Sequence, residues 1–248
     1  MMLIKKGHVM KNIIFVCLMA GILPLPSIVL AGTKVPDFSQ YKDVNQKKTA
    51  FFEFMLPHIK KSNAEIKKTR NFLQALSPNE LNNQQPRLMA MAEKYRVSHK
   101  DKTLLEVKKA LLKKVDVIPA SLALAQAANE SAWGTSRFAR NASNFYGQWC
   151  FTKGCGLVPR QRTTGKGHEV RKFDSAYVSV KSYIHNLNSH PAYAQLREIR
   201  YKKRQQKQRR ATGLELVVGL EKYSQRKHAY VEELSSMIRY NKLGRYDS

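Results

Sequence analysis

Apolar residues recur at the spacing of amphipathic helices through most of the chain. Within residues 32–76, Phe51, Phe52 and Phe54 stand at helix-like intervals among lysines, which predicts a helical segment. A polar break that contains two prolines follows, and a second helical pattern begins after it. We therefore expect residues 32–76 to form an N-terminal helical extension that packs on a main domain at residues 77–248.

The middle of the chain predicts two more helices in succession. Residues 104–114 are amphipathic, and their candidate core positions are Leu105, Val107, Ala110, Leu111 and Leu112. Because proline is favoured in the first turn of a helix, Pro119 predicts the start of the next helix, which continues to Gly134. This helix is almost wholly small and apolar, so we expect it to be buried.

The last third of the chain combines a loop-like segment with further helices. Residues 160–172 are rich in threonine, glycine and basic residues, which predicts a hairpin or a loop over a cleft. Asp174 precedes an amphipathic helical run and is its predicted N-cap. The polar end of that run carries four candidate cleft residues: Asn186, Asn188, His190 and Tyr193.

The N-terminus has the pattern of a secretory signal. Three lysines precede an apolar stretch at residues 13–23, and small or apolar residues lead up to Ala31. An uncleaved membrane anchor is the alternative, but the stretch is shorter than the roughly 20 residues of a spanning helix, and Pro24 and Pro26 follow it. We expect cleavage after Ala31, export, and no stable membrane insertion of the mature chain.

The charge of the chain indicates a polyanionic partner. The 248 residues contain 44 Lys and Arg against 18 Asp and Glu, a formal net charge of +26, and a hydrophobic content of 43% excludes a disordered tail. Residues 197–210 hold eight basic residues and one acidic residue, which predicts a solvated helix face or a docking strip for an acidic wall polymer. Nucleic acid is disfavoured, because the chain is predicted to be exported and only Tyr201 interleaves this run.

The two cysteines of the predicted mature chain are expected to pair. Cys150 and Cys155 flank a short glycine-containing loop, and an oxidising compartment would preserve a disulfide; two free thiols are the alternative. Their spacing, without nearby Cys or His partners, argues against a zinc site. The histidines are dispersed, so we predict no metal and no cofactor.

The end of the buried helix carries the candidate catalytic acid. A carboxylate there is costly to ionise, so desolvation raises its pKa toward the range in which Glu130 can hold a proton at neutral pH. The alternative is a solvent-facing helix end at which Glu130 pairs with Arg137 or Arg140. Composition alone leaves both interpretations open.

A sequence resemblance bears on this choice. Residues 123–134 read Ala-Leu-Ala-Gln-Ala-Ala-Asn-Glu-Ser-Ala-Trp-Gly and are followed by Ser-Arg-Phe-Ala at 136–139 and Asn-Phe-Tyr-Gly at 144–147. These motifs resemble the glucosaminidase family, glycoside hydrolase family 73, which includes flagellar peptidoglycan hydrolases, and their flanks resemble its Bax-type exported branch. The resemblance implies an α+β, mainly α, lysozyme-like domain with a small β-hairpin lobe beside the cleft.

The resemblance also implies a set of site residues. The Glu of the Glu-Ser-x-Trp-Gly motif is the family's catalytic acid and matches Glu130. Most glycosidases use a second carboxylate, for which we predict Glu169 on the loop at residues 160–172. Tyr223 matches the family's functional tyrosine, although Ser-Gln-Arg follows it where the family usually has Ala-Thr-Asp. Candidate substrate-binding residues are Trp133, Asn144, Phe145, Tyr146 and Tyr183, and core packing is the alternative for Tyr183.

The predicted function is an endo-β-N-acetylglucosaminidase that cleaves the glycan strands of peptidoglycan. If Glu169 points away from the cleft, water would be activated otherwise, or the substrate's acetamido group would attack the anomeric carbon. A lytic transglycosylase is an alternative within the same enzyme class. A basic, non-catalytic wall-binding or scaffold protein is the alternative outside it.

Overall fold

The computed structural model describes residues 34–160, 167–207 and 209–247. The predicted signal sequence, residues 1–31, lies outside these residues, as does part of the predicted loop at residues 160–172. Within the described ranges, no helix combines the length and apolar character needed to cross a bilayer.

Helices dominate the described residues, and one small sheet accompanies them. The α-helices are α1 (Val44–Ala75), α2 (Gln85–Lys94), α3 (Leu104–Lys114), α4 (Ala120–Ser131), α5 (Arg137–Ala142), α6 (Ala176–Ser189), α7 (Ala194–Lys207), α8 (Gly213–Leu216) and α9 (His228–Tyr240). Three short strands, β1 (Trp149–Cys150), β2 (Gly156–Leu157) and β3 (Glu169–Arg171), form an antiparallel sheet in the order β1-β3-β2. The predicted mainly helical fold with a small β element is confirmed, and α3 has the predicted bounds.

Helix α1 belongs to the shared hydrophobic core. The side chain of Asp43 caps its first turn by accepting a hydrogen bond from the Gln46 amide at 2.7 Å. Phe51, Phe52 and Met55 then pack in one cluster with α4, α6 and α9, and the far end of α1 packs in a second cluster with α2 and α3. Helix α1 therefore contributes to both hydrophobic clusters.

Helix α4 is buried as its composition predicts. Every residue from Ala120 to Ala128 is buried, and the alanines allow neighbouring backbones to approach closely. The Asp247 carboxylate accepts hydrogen bonds from the Ser121 amide and hydroxyl at 2.8 and 2.7 Å, which satisfies the helix N-terminus. Gly213 is packed against the same turn, because a Cβ there would lie 2.1 Å from the Ser121 Oγ.

The sheet is built around a disulfide loop. Cys150 and Cys155 are bridged, which confirms the predicted pairing. Strand β3 is the central strand and pairs with β1 and β2, which flank the disulfide loop. The segment at residues 160–172, predicted as a hairpin or a loop, contributes β3, which pairs antiparallel with the preceding strand β2. The first strand of this hairpin lies before residue 160, and part of the connection lies outside the described residues. Gly156 is needed on β2, since a Cβ would meet the Val170 carbonyl oxygen at 2.0 Å.

The basic segment at residues 197–210 is not simply a solvated face. Arg197 and Arg200 are buried, and Arg204 donates hydrogen bonds to both carboxylate oxygens of Asp116. Burial opposes the charge of Asp116, but Arg200, Arg204 and Arg70 hold its pKa below the ordinary value. The sequence interpretation fails at these positions because the guanidinium groups have partners inside the fold. The Asp116 carboxylate binds Arg204, and backbone carbonyl oxygens bind Arg197 and Arg200.

Two smaller expectations are also corrected. Ser175, not Asp174, is the N-cap of α6, because the Ser175 hydroxyl accepts a hydrogen bond from the Val178 amide. Leu105 is 39% exposed, so it is not a core residue of α3. Val107 and Leu111 are buried, and Ala110 and Leu112 pack partly buried against the same cluster, as predicted. Both errors are shifts of a residue or two within a correctly predicted helix.

We expect Phe51→Ala to lower the free energy of unfolding by about 3–5 kcal/mol, the usual cost of truncating a buried phenylalanine. Phe51 is fully buried and makes edge-on ring contacts with Phe38, Phe52 and Trp133. The matched control is Phe151→Ala, because the Phe151 side chain is 77% exposed and its loss should change stability by less than about 0.5 kcal/mol. Urea unfolding measures both variants, and equal stabilities would contradict the placement of α1 in the core.

Candidate active site

A cleft of about 600 Å³ opens beside the C-terminal end of α4. Its walls come from α4, α5, the turn before β1, the sheet, the end of α6 and the segment before α9. The lining residues are Glu130, Phe138, Tyr146, Gly147, Gln148, Trp149, Val170, Asn186, His190, Tyr193 and Tyr223. Glu130 is the one carboxylic acid among these residues.

The Glu-Ser-x-Trp-Gly motif ends α4 abruptly and leaves Glu130 at its last turn. The Ser131 hydroxyl donates to the Ala127 carbonyl at 2.6 Å and accepts from the Gly134 amide at 2.8 Å. Ala132, Trp133 and Gly134 all have left-handed backbones, with φ of 50°, 58° and 77°. Gly134 also lies against Phe38, because a Cβ would come within 2.4 Å of the Phe38 ring.

Glu130 occupies a site that favours its protonated form. Burial raises its pKa above the ordinary value, and the hydrogen bond from Tyr230 and the charge of Arg226 only partly oppose this. Within the part of the chain that the structure describes, Glu130 forms no ion pair with Arg137 or Arg140. The geometry thus agrees with the buried alternative.

A chain of hydrogen bonds holds the Glu130 carboxyl from behind. Tyr183 donates to the Gln126 Oε1 at 2.6 Å, the Gln126 Nε2 donates to the Tyr230 hydroxyl at 3.0 Å, and Tyr230 donates to the Glu130 Oε1 at 2.7 Å. Sequence reasoning assigned no role to Gln126 or Tyr230. Gln126 precedes Glu130 by four residues on the same helix face, which is a usable signal. Tyr230 follows Glu130 by 100 residues, and no local pattern connects them.

Four tyrosines form two stacked pairs around this chain. The Tyr146 ring stacks on Tyr183 at 3.8 Å between centroids, and the Tyr223 ring lies parallel to Tyr230 at 5.7 Å. The Tyr223 hydroxyl donates to the Tyr146 carbonyl oxygen at 2.9 Å. Tyr146 and Tyr223 border the cleft, but only the Tyr223 side chain is partly exposed, because Tyr146 and Tyr183 are both fully buried. Burial raises the pKa of Tyr183 and Tyr223 well above that of a free phenol, so both stay neutral.

Three of the predicted substrate-binding residues contact the core instead of the cleft. Trp133 packs its ring against the phenylalanines of α1, and Phe145 is fully buried beside the same residues. Asn144 donates from its Nδ2 to the Gln148 and Arg171 carbonyl oxygens, both at 2.9 Å. These contacts join α1, α4 and the sheet, and the role of the three residues in substrate binding stays a prediction.

Glu169 is on β3 but does not line the cleft. Its Oε1 accepts a hydrogen bond from the Gly154 amide at 2.9 Å, and its Oε2 accepts one from the Gly156 amide at 2.8 Å. Both carboxylate oxygens therefore hold the disulfide loop. Its role as the second catalytic acid stays a prediction.

The same loop brings together three groups with ligand-type atoms. The Cys150, Cys155 and Glu169 atoms lie within 4.8 Å of one another. Because the two sulfurs are joined in a disulfide, neither can act as the thiolate that binds metals. This cluster fixes the loop instead.

The polar end of α6 reaches the cleft largely as expected. Asn186, His190 and Tyr193 line it, whereas Asn188 turns inward and donates to the Asp116 carbonyl oxygen at 2.9 Å. Sequence reasoning assigned no role to Trp149, which is 57% exposed at the rim and stacks on His168 with centroids 4.1 Å apart. The sequence could not identify Trp149 as a candidate binding residue, because its exposure at the rim of a cleft is visible only once the fold is known.

Three comparisons with known proteins give matches. The catalytic domain of the autolysin Auto from Listeria monocytogenes aligns with 73% of this chain and 96% of its own, with a TM-score of 0.40 and 19% identity. Protein bax of Escherichia coli (strain K12) is 33% identical over 216 residues, which cover 85% of this chain and 75% of the relative. The glucosaminidase family model, described as mannosyl-glycoprotein endo-beta-N-acetylglucosaminidase, matches residues 106–243, more than half of the chain. The chain belongs to the glucosaminidase family.

Proposed function

We propose that this chain is a peptidoglycan hydrolase, an endo-β-N-acetylglucosaminidase that uses Glu130 as its general acid. The observation that carries the proposal is a carboxyl group with a raised pKa at an open cleft, whose hydrogen-bond partners Tyr230 and Asn129 are both neutral. Cleavage of a glycosidic bond needs a proton on the leaving oxygen, and a carboxyl group whose pKa is raised holds such a proton to higher pH than an ordinary glutamate does.

The two oxygens of Glu130 have different tasks in this proposal. Oε1 accepts the hydrogen bond from Tyr230, so it orients the group. Oε2 lies beside Gly147, where even a Cβ would come within 3.4 Å of it. The absence of a side chain at Gly147 leaves room for the glycosidic oxygen to approach Oε2. We therefore assign the transferred proton to Oε2.

The second half of the reaction has fewer candidate groups. Most glycosidases place two carboxylates around the scissile bond, but Glu130 is the single carboxylic acid among the residues that line the cleft. We propose that Glu169 acts through the loop it anchors. Attack by the acetamido group of the substrate is then the simplest route to the anomeric carbon.

The remaining cleft residues suit a sugar chain. The half-buried Tyr223 ring borders the cleft next to the buried Tyr146, and Trp149 adds an exposed aromatic surface at the rim. Aromatic faces pack on the apolar faces of sugar rings, and neutral donors bind their hydroxyl groups. We assign Tyr223 a place beside the reacting sugar, with its hydroxyl also holding the turn before Gly147.

The location and partner follow from the sequence. The signal pattern at residues 1–31 supports export to the periplasm or the cell envelope, where peptidoglycan is available and nucleic acid is not. The net charge of +26 would attract the chain to the anionic wall. The disulfide between Cys150 and Cys155 fits the same oxidising compartment.

A lytic transglycosylase is the second candidate, and the single carboxylic acid of the cleft favours it. In that reaction a hydroxyl group of the substrate attacks, so no second carboxylate and no water is required. The products differ: hydrolysis leaves a reducing-end N-acetylglucosamine, and transglycosylation leaves an anhydro sugar. Mass analysis of digested peptidoglycan separates the two reactions.

We expect Glu130→Gln to lower hydrolysis of purified peptidoglycan by about 10²–10⁴-fold while fold and wall binding are kept. The amide has no acidic proton to give to the leaving oxygen. Mass analysis of the released reducing ends measures the loss. The matched control is Glu53→Gln, an exposed position on α1 outside the cleft, which should act like the unmodified chain.

Two outcomes of that experiment count against the proposal. Release of the same fragments by Glu130→Gln at the unmodified rate would show that another group is the acid. Binding to the wall without any release of fragments by the unmodified chain would instead favour the scaffold alternative.

We expect Glu169→Gln to weaken the disulfide loop by about 1–3 kcal/mol, because an amide cannot accept hydrogen bonds from both backbone amides. Faster hydrogen exchange at Gly154 and Gly156, with KM raised more than kcat is lowered, would be the signature. A fall in kcat of about 10²-fold or more with unchanged exchange would instead identify Glu169 as the second catalytic acid.

We expect Tyr230→Phe to move the alkaline limb of the activity profile to higher pH. The hydrogen bond from Tyr230 stabilises ionised Glu130 and lowers its pKa, so its removal raises that pKa further. A general acid loses activity as pH rises through its pKa, so the alkaline limb of the profile should shift to higher pH. The accompanying loss of rate should be smaller than the about 10²-fold that is typical of losing the acid itself. Tyr240→Phe, at a 77% exposed position, is the control, and an unmoved limb would contradict the role of Tyr230.

A further inference from the structure

A second cavity, of about 700 Å³, adjoins the cleft. Phe138 lines both cavities, so a polymeric ligand bound at Glu130 can extend past the Phe138 side chain into the second cavity without crossing the core. The new cavity lies between α5 and the segment after β2, and three of its lining residues are arginines: Arg137, Arg140 and Arg160. No lining residue is acidic.

The charges of this cavity are open to a ligand. In the described part of the chain, none of the three guanidinium groups forms an ion pair with a carboxylate. Asp37 is an acidic residue that interacts electrostatically with Arg140. The pKa of Asp37 is lowered mainly by hydrogen bonds from Ser39 and to a smaller degree by the charge of Arg140. The cavity therefore keeps an excess of positive charge.

One of the arginines is already held in position. The Arg137 Nη2 donates to the Val158 carbonyl oxygen at 2.7 Å, and its guanidinium lies 4.8 Å from the centre of the Phe138 ring. Arg140 and Arg160 are exposed at the mouth. Planar guanidinium groups bind carboxylates through paired hydrogen bonds, and the neighbouring side chain of Asn141 offers an amide for the same ligand.

We propose that this cavity binds the carboxylates of the peptide stems that peptidoglycan carries, while the glycan strand lies in the cleft at Glu130. The inference rests on the proposed function, because it assigns the second cavity to the same substrate. The chain is then selective for strands with their stems attached, and the arginines at residues 137, 140 and 160 determine that selectivity.

The test compares two forms of one substrate: fluorescent soluble glycan fragments with intact stems, and the same fragments after an amidase has removed the stems. Binding is measured in a Glu130→Gln background, so that hydrolysis does not consume the ligand. With Arg140→Gln and Arg160→Gln combined, we expect Kd for stem-bearing fragments to rise about tenfold, since each exposed ion pair contributes up to about 1 kcal/mol. The rise for the stripped fragments should be at least fivefold smaller.

The matched control removes the same charge elsewhere. Arg87→Gln combined with Arg239→Gln changes two exposed arginines that line neither cavity, so general attraction to polyanions falls equally. Equal rises in Kd for the control and the cavity variant would overturn the proposal. So would equal rises for stem-bearing and stripped fragments, which would show that the arginines respond to charge alone.

The outcome for the cavity is separable from the outcome for catalysis. If the unmodified chain releases no fragments, the proposed hydrolysis fails, but the binding comparison still tests the cavity. If the chain hydrolyses both forms with the same kcat/KM and the cavity variant binds both as the control does, the cavity fails and the hydrolase stands.

Discussion

The burial of α4 on all sides is the constraint on which the rest of the structure depends. Only small residues allow α1, α6, α8 and α9 to pack around one helix, and residues 120–128 are accordingly small or apolar apart from Ser121 and Gln126. The helix is closed at one end by Asp247 and at the other by the left-handed turn after Ser131. Because both ends are fixed, the position of Glu130 at the cleft follows from the packing of the core.

Two carboxyl groups, the buried one of Asp116 and the half-buried one of Glu130, show how their partners decide their chemistry. Both lose part of their contact with water, which opposes ionisation. Asp116 faces Arg70, Arg200 and Arg204, so its pKa is lowered; it contributes stability above its unfolded pKa, and that stability is lost as pH falls through the lowered value. Glu130 has a tyrosine instead of a cation in contact, so its pKa is raised. The Asp116 carboxylate with its arginines joins helices, whereas the surroundings of Glu130 favour its protonated form.

The sequence predicted what local patterns encode. The helices α3 and α4 follow from apolar periodicity and from Pro119, and Glu130 follows from its place at the end of an apolar helix together with the motif. The inward turn of Arg197 and Arg200 was missed, because backbone carbonyl oxygens hold both guanidinium groups. One carbonyl that holds Arg200 belongs to Asp116, 84 residues away. Tyr230 was missed for the same reason. Long-range polar partners leave no periodic trace, so the supporting contacts of a site are the least predictable part of it.

The residues of the Glu-Ser-x-Trp-Gly motif do not all line the cleft. Ser131 ends the helix, Trp133 packs on α1, and Gly134 admits the Phe38 ring, so three of its four named residues build the support. A chain could keep all three for stability and still be inactive. The proposed catalysis instead needs the raised pKa of Glu130 together with the open space at Gly147, since a general acid acts only where the substrate oxygen can reach it. These two features, and not the motif as a whole, distinguish a catalytic cleft from a merely stable fold.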